Sequence, residues 1–273
     1  MRFLVLSRAD IIVVVMLNRL LPVLARQHTV RVYLSDRTFP GERGSPPADL
    51  FMRNTRDIWL DSLFPALDQR QTRPFPAGGK GLMTFQGLSR AYDVPMEPLG
   101  GEVTPAQNLT RNAVREWRPD VILSCRHDFI VPHDVWCRAL GGAYNTHLGN
   151  LPDYRGPSCL FWTMYNREVE SACTLHWLAD LVDRGPVVAR SVFRLDYGES
   201  LLHNMITGYM AGIETLLSLL PRLSAGPLPG QPQSPGVGRY YPPPDPETYA
   251  AFAARGGKVT EEQDVEDLQR RFF

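Results

Sequence analysis

The sequence predicts an α/β protein: a Rossmann-like, mostly parallel sheet with flanking helices, followed by a short C-terminal extension. Two observations carry this. The chain opens strand–helix–strand: RFLVLS (Arg2 to Ser7) reads as a short buried strand, Ile11 to Gln27 as an apolar-rich helix, and the alternating TVRVYL (Thr29 to Leu34) as the next strand. A βαβ start of this kind implies parallel pairing. Beyond residue 103 the alternation resumes. Thr104 to Trp117 reads as a helix with proline at its first position, RPDVILSC as a strand and PHDVWCRAL as a short helix closed by Gly141-Gly142. Ala143 to Thr146 is a further strand, Leu160 to Arg167 a helix, Ala172 to Leu178 and Val187 to Arg194 two strands, and Glu199 to Leu223 a long amphipathic helix.

The connections are less regular. Segment 36–56 is rich in Pro, Gly and charge and reads as a long loop; a helix is expected over Ile58 to Leu67, a second break over 71–82, and a short helix over Leu88 to Tyr92. Pro and Gly dominate Ser224 to Pro246, the best domain boundary in the chain. The expected organisation is a catalytic domain over 1–223, a linker over 224–246 and a short helical tail over 247–273.

Composition bounds the function. The 273 residues are 44% hydrophobic and 21% charged, and Lys+Arg and Asp+Glu balance at 29 each. A neutral chain offers no general attraction to nucleic acid or an anionic membrane, so neither is expected as a partner. Cys125, Cys137, Cys159 and Cys173 lack C-x-x-C spacing, which argues against zinc or a disulfide framework and points to the cytoplasm. Arg8, Asp10, Asn18 and Arg19 interrupt the apolar start, so it is not read as a secretory signal.

The chemistry concentrates in NTHLGNLPDYRG, Asn145 to Gly156. Groups two apart on a strand face the same way, and the C-terminal ends of parallel strands are where α/β sheets place ligands. Asn145 and His147 would therefore aim an amide and an imidazole at one point, an arrangement suited to a carbonyl that develops negative charge.

The spaced string Asn145-x-His147, Leu151-Pro152-x-Tyr154-Arg155-Gly156, Thr174-x-His176 and Asp183-x-Gly185-Pro186 resembles the folate-dependent formyltransferases. Leu148-Gly149-Asn150 before Leu151 and Arg184 after Asp183 depart from the usual pattern. The resemblance implies the formyltransferase fold and formyl transfer from 10-formyl-tetrahydrofolate to an amine, with tetrahydrofolate as product. It implies Asn145, His147 and Asp183 as catalytic residues: the first two stabilise the oxyanion, and the aspartate orients a water and holds the charge state of His147. Phe129, Ile130 and Val131, with Leu178 and Val182 in the aspartate loop, would form the folate slot. Tyr154 and Arg155 would shape the substrate entrance or rigidify their turn, and His176 reads as a structural strand residue.

The acceptor is narrowed by exclusion. Ser7-Arg8-Ala9-Asp10 has no glycine and carries a carboxylate where a phosphate loop would follow the first strand, and no large basic C-terminal domain is present for RNA. A small-molecule amine remains, with a nucleotide-linked amino sugar as the leading case and an amine or hydroxylamine of a siderophore-type precursor as the alternative. A homodimer is compatible with this reading. In the sugar case, Arg37, Arg43, Arg53, Arg56, Arg70, Arg73 and Lys80 would close over phosphate. Hydrolysis of formyl-tetrahydrofolate is the competing reaction, and a non-catalytic binding protein the competing class.

Overall fold

The computed structural model describes residues 1–70 and 81–272. β1 (Arg2–Arg8) is buried at every position after its first. Helices cover both faces of it, with Phe3 and Val5 entering one core and Leu4 and Leu6 the other. α1 (Ile11–Gln27) starts at Asp10, whose carboxylate accepts the Val13 N–H at 2.9 Å. β2 (Thr29–Ser35) returns parallel to β1.

The next segment departs from the sequence reading. A helical run begins with α2 (Pro46–Met52), widens through Arg53–Asp57 and Trp59–Leu63, and ends as α3 (Phe64–Arg70). Pro46 and Pro47, counted as loop residues from the sequence, sit in the first turn, where a missing N–H costs nothing. The expected break at 71–82 lies, except for its last two residues, outside the described residues. α4 (Phe85–Tyr92) is capped by the Thr84 hydroxyl. β3 (Met96–Gly100), an edge strand beside β2, escaped the sequence reading because MEPLG lacks both alternation and β-branched residues.

α5 (Val103–Trp117), β4 (Val121–Cys125), α6 (His133–Trp136) and β5 (Gly142–Leu148) follow in the expected order. Beyond β5 come the short β6 (Tyr154–Arg155), α7 (Cys159–Tyr165), β7 (Glu170–Trp177), β8 (Val187–Arg194) and α8 (Leu201–Leu219). The sheet order is β3-β2-β1-β4-β5-β7-β8, parallel through β5 and antiparallel at β5–β7 and β7–β8. Strand order reverses between β1 and β4, so the chain leaves a crevice there at the C-terminal strand ends.

Ser224 to Pro246, expected as a linker, is instead an ordered strap. Leu228 is buried and its N–H donates to the Tyr144 hydroxyl at 2.7 Å, while its carbonyl accepts the Trp177 indole N–H at 3.0 Å. Gln231 exchanges two backbone hydrogen bonds with Val187, and β9 (Arg239–Tyr240) pairs with β6. Proline and glycine signal the lack of regular structure, but backbone groups can still be satisfied by neighbours. α9 (Pro246–Ala254) and α10 (Glu262–Phe272) then dock on the main body, with Phe252 against Phe161 at 4.9 Å between ring centroids. Tyr249, Phe252, Val259, Val265 and Leu268 share one apolar cluster with α1 and α8. Among the described residues no helix is long and apolar enough to cross a membrane.

Because the tail has no core of its own, Phe252→Ala should lower the stability of the whole protein by about 3–5 kcal/mol. Urea unfolding followed by both circular dichroism and tryptophan fluorescence checks this. One shifted transition is expected, and an early separate loss of the tail alone would contradict the shared core.

Candidate active site

At the C-terminal ends of β1, β4 and β5 lies a cavity of about 350 Å³, within the range that small-ligand sites occupy. Asn145 and His147 reach it from β5. His176 enters from β7, because the antiparallel register sets it opposite Asn145. Asp183 arrives on the loop between β7 and β8.

These four side chains form one buried network. Asp183 Oδ1 lies 3.5 Å from His147 Nδ1 and 3.5 Å from His176 Nε2, and its Oδ2 accepts the Gly156 N–H at 2.8 Å. His176 Nδ1 lies 2.7 Å from the Trp177 carbonyl, which assigns the proton to that nitrogen and leaves Nε2 to accept from the Asn145 amide at 3.1 Å. His147 Nε2 lies 2.8 Å from the Tyr154 carbonyl, so it carries the hydrogen and leaves Nδ1 facing the aspartate. Burial pushes the Asp183 carboxyl upward, but His147, His176 and the Gly156 N–H outweigh it and hold it at about 2. For His147 burial dominates and lowers its pKa, against the opposing pull of Asp183.

The aspartate loop is held from outside the motif. Asp183 takes a left-handed conformation (φ 55°), and Gly185 packs so tightly that a Cβ would stand 1.8 Å from the Trp177 carbonyl. The Gln233 amide of the strap donates to the carbonyls of both Asp183 and Gly185, at 2.9 and 2.8 Å. Sequence reasoning missed Gln233, which lies in a Pro/Gly-rich stretch without a motif. His176, read from the sequence as a structural strand residue, lies in β7 and also joins this network.

Phe129, Ile130, Val131, Leu178 and Val182 all line the cavity, joined by Leu181. Ile130 and Leu181 are 62% and 69% exposed, an apolar rim open to a ligand. Tyr154 and Arg155 are not brought to the cavity. The Tyr154 ring stacks on Tyr241, its hydroxyl donates to Glu168, and an Arg155 Nη donates to the Gly238 carbonyl, so both brace the strap.

The cavity lining also carries charge. The Arg8 guanidinium makes a two-point contact with Glu42 at 2.7 and 3.2 Å and lies 3.3 Å from Asp128. Arg126 Nε donates to Asp10 at 2.6 Å. The carboxylate after β1 that stood out in the sequence is thus neutralised by an arginine after β4. Burial raises the Asp128 carboxyl to about 6, with Arg8 and Ser35 opposing. Of the arginines expected to grip phosphate, Arg43 pairs with Asp57, Arg53 with Glu262, and Arg56 with Asp57 and the Asp36 carbonyl. Arg37 does line the cavity, stacked over Phe39. The side chain of Arg70, together with Arg73 and Lys80, lies outside what the structure describes.

Residues 101–205 match the family model described as formyl transferase. Over these residues the chain resembles a formyl transferase domain. The match spans the Asn145, His147, His176 and Asp183 network and stops before the strap that supplies Gln233. Solved structures similar to the chain have the same fold. A variant of HypX from Aquifex aeolicus is 18% identical with a TM-score of 0.55, over 91% of this chain and 31% of that one. The chain thus spans about a third of the length of HypX. An N-formyltransferase from Helicobacter canadensis, solved with folinic acid and dTDP-3-aminofucose, is 16% identical with a TM-score of 0.52, over 89% and 71%. A sugar N-formyltransferase from a Shewanella species is 14% identical with a TM-score of 0.53, over 89% and 76%.

The low carboxyl pKa of Asp183 has a consequence for stability. A carboxylate held at about 2 when folded, against ~3.9 unfolded, contributes stability that is present above about pH 4 and lost as pH falls through 2. Asp183→Asn keeps an oxygen for the Gly156 N–H and removes the titration. Its urea midpoint should therefore fall less than that of the wild type between pH 4 and pH 2.

Proposed function

We propose that the protein transfers a formyl group from 10-formyl-tetrahydrofolate to the amine of a small acceptor. The observation that carries this reading is the convergence of Asn145, His147 and Asp183 on one cavity lined by both apolar and charged residues. Phe129, Ile130, Val131, Leu178 and Val182 would hold the flat ring system of the donor. Arg8, Glu42, Arg126 and Asp128 would border the acceptor. The bound donor supplies an activated formyl carbonyl that the amine attacks, with tetrahydrofolate leaving.

Each residue then has a defined task. One Asn145 amide hydrogen is committed to His176, and the other is free to stabilise negative charge on the formyl oxygen. His147, neutral near pH 7, takes the proton of the attacking amine at Nδ1, and Asp183 stabilises the imidazolium so formed. The same Nδ1 proton passes to the departing nitrogen, which closes the proton balance. Asp183 itself is too weak a base to take the proton.

The nucleotide-linked amino sugar is the weaker of the two acceptor readings. Three arginines expected on its phosphates are engaged in ion pairs within the protein. A smaller amine with less charge is better supported.

Replacing Asn145, His147 or Asp183 singly with Ala should lower formyl transfer by about a hundredfold or more. Release of tetrahydrofolate with and without an amine present measures it. Equal rates in both conditions would assign the protein to hydrolysis instead. Because burial depresses the His147 pKa, kcat should fall on the acid side only below the ordinary imidazole range of about 6.5. Asp183→Asn, which removes the group opposing that depression, should move this acid limb lower still.

A further inference from the structure

Beside the main cavity lies a second, of about 80 Å³. The two share walls that include Glu42, Arg126, Leu148 and Tyr209. Past these residues the lining turns apolar, with Ala48 and Phe51 from α2, Leu160 and Phe161 from α7, Leu201 and Met205 from α8, and Val259 from the tail. No sequence motif marks this annex, because its walls come from four regions far apart in the chain.

Unfilled apolar space destabilises a core, and natural interiors leave little of it. Here it adjoins the main cavity, with Glu42 and Arg126 among the residues lining both, next to the proposed reaction centre. Pro157 and Ser158 line both cavities, and they directly follow Gly156, whose N–H holds Asp183. The annex therefore begins on the aspartate's flank, away from the apolar wall of Phe129, Val131 and Leu178. A sugar hydroxyl placed among Ala48, Leu160, Phe161 and Leu201 would lose its hydrogen bonds to water, and only the Ser158 and Tyr249 hydroxyls and the shared charged residues line the annex to replace them.

We infer that the annex receives the hydrocarbon part of the acceptor, so that the acceptor is a primary amine on a short aliphatic chain. This rests on the transfer reading above. A cavity of about 150 Å³ accommodates benzene. An annex of roughly half that volume takes a chain of about three or four carbons.

The test uses the full chain, saturated with folinic acid, and the n-alkylamines from ethylamine to hexylamine, with a nucleotide-linked amino sugar as comparison. Binding is read by calorimetry on the folinic acid complex, and turnover separately by tetrahydrofolate release with 10-formyl-tetrahydrofolate as donor. Affinity should rise about fourfold per methylene, corresponding to ~0.8 kcal/mol for each buried CH2, and level off near four carbons. Ala48→Leu, which fills the annex, should move the optimum to shorter chains. Val259→Ala, which enlarges it, should move the optimum to longer ones. Opposed shifts cannot come from general loss of folding. Affinity independent of chain length, optima unmoved by both variants, or tighter binding of the amino sugar would each overturn the inference. Chain-dependent binding without turnover of any amine would instead remove the transfer reading while leaving the annex assigned.

Discussion

The site depends on one buried carboxylate. Asp183 is nine-tenths removed from water, and an unpaired charge so placed would be neutralised or expelled. It persists as a carboxylate because the Gly156 N–H donates to it and His147, whose imidazolium it stabilises, stands 3.5 Å away. Each partner arrives by a different route: His147 along β5, His176 by the antiparallel register of β7, and Gly156 from the turn braced by the strap. Disturbing any of these elements reaches the aspartate.

The same constraint explains the C-terminal segment. A loop carrying a residue at φ 55° needs external support, since that conformation is disfavoured for any side chain with a Cβ. Gln233 supplies it by donating to the carbonyls on either side of Arg184, and Arg184 in turn donates to the Val237 carbonyl. The formyl transferase match ends at residue 205, so the support lies wholly outside it. The strap holds the aspartate loop through these bonds, which explains why 224–246 is ordered despite its composition.

The cavity lining combines apolar and charged residues. The apolar ones follow β4 and the aspartate loop, whereas the charged ones come after β1, after β2 and after β4. Arg8, Glu42, Asp10, Arg126 and Asp128 compensate one another, which keeps buried charge affordable near a neutral site. That balance leaves little free positive charge for a polyphosphate.

By itself the sequence determined the parallel α/β core, the order of its principal strands and helices, and the candidate residues Asn145, His147 and Asp183. These were legible because strand alternation is local and because the motif residues lie on strand ends or in a signature turn. Only the tertiary structure decided the rest. It paired His176 with Asn145 across β5 and β7, turned Tyr154 and Arg155 toward the strap, and matched Asp10 to Arg126. It also committed Arg43, Arg53 and Arg56 to ion pairs and built the annex from α2, α7, α8 and the tail. The physical reason is the same throughout. Periodicity and turn chemistry report how a residue treats its neighbours in the chain, whereas the partner of a charged or polar group is set by which distant segments the fold brings within hydrogen-bonding reach.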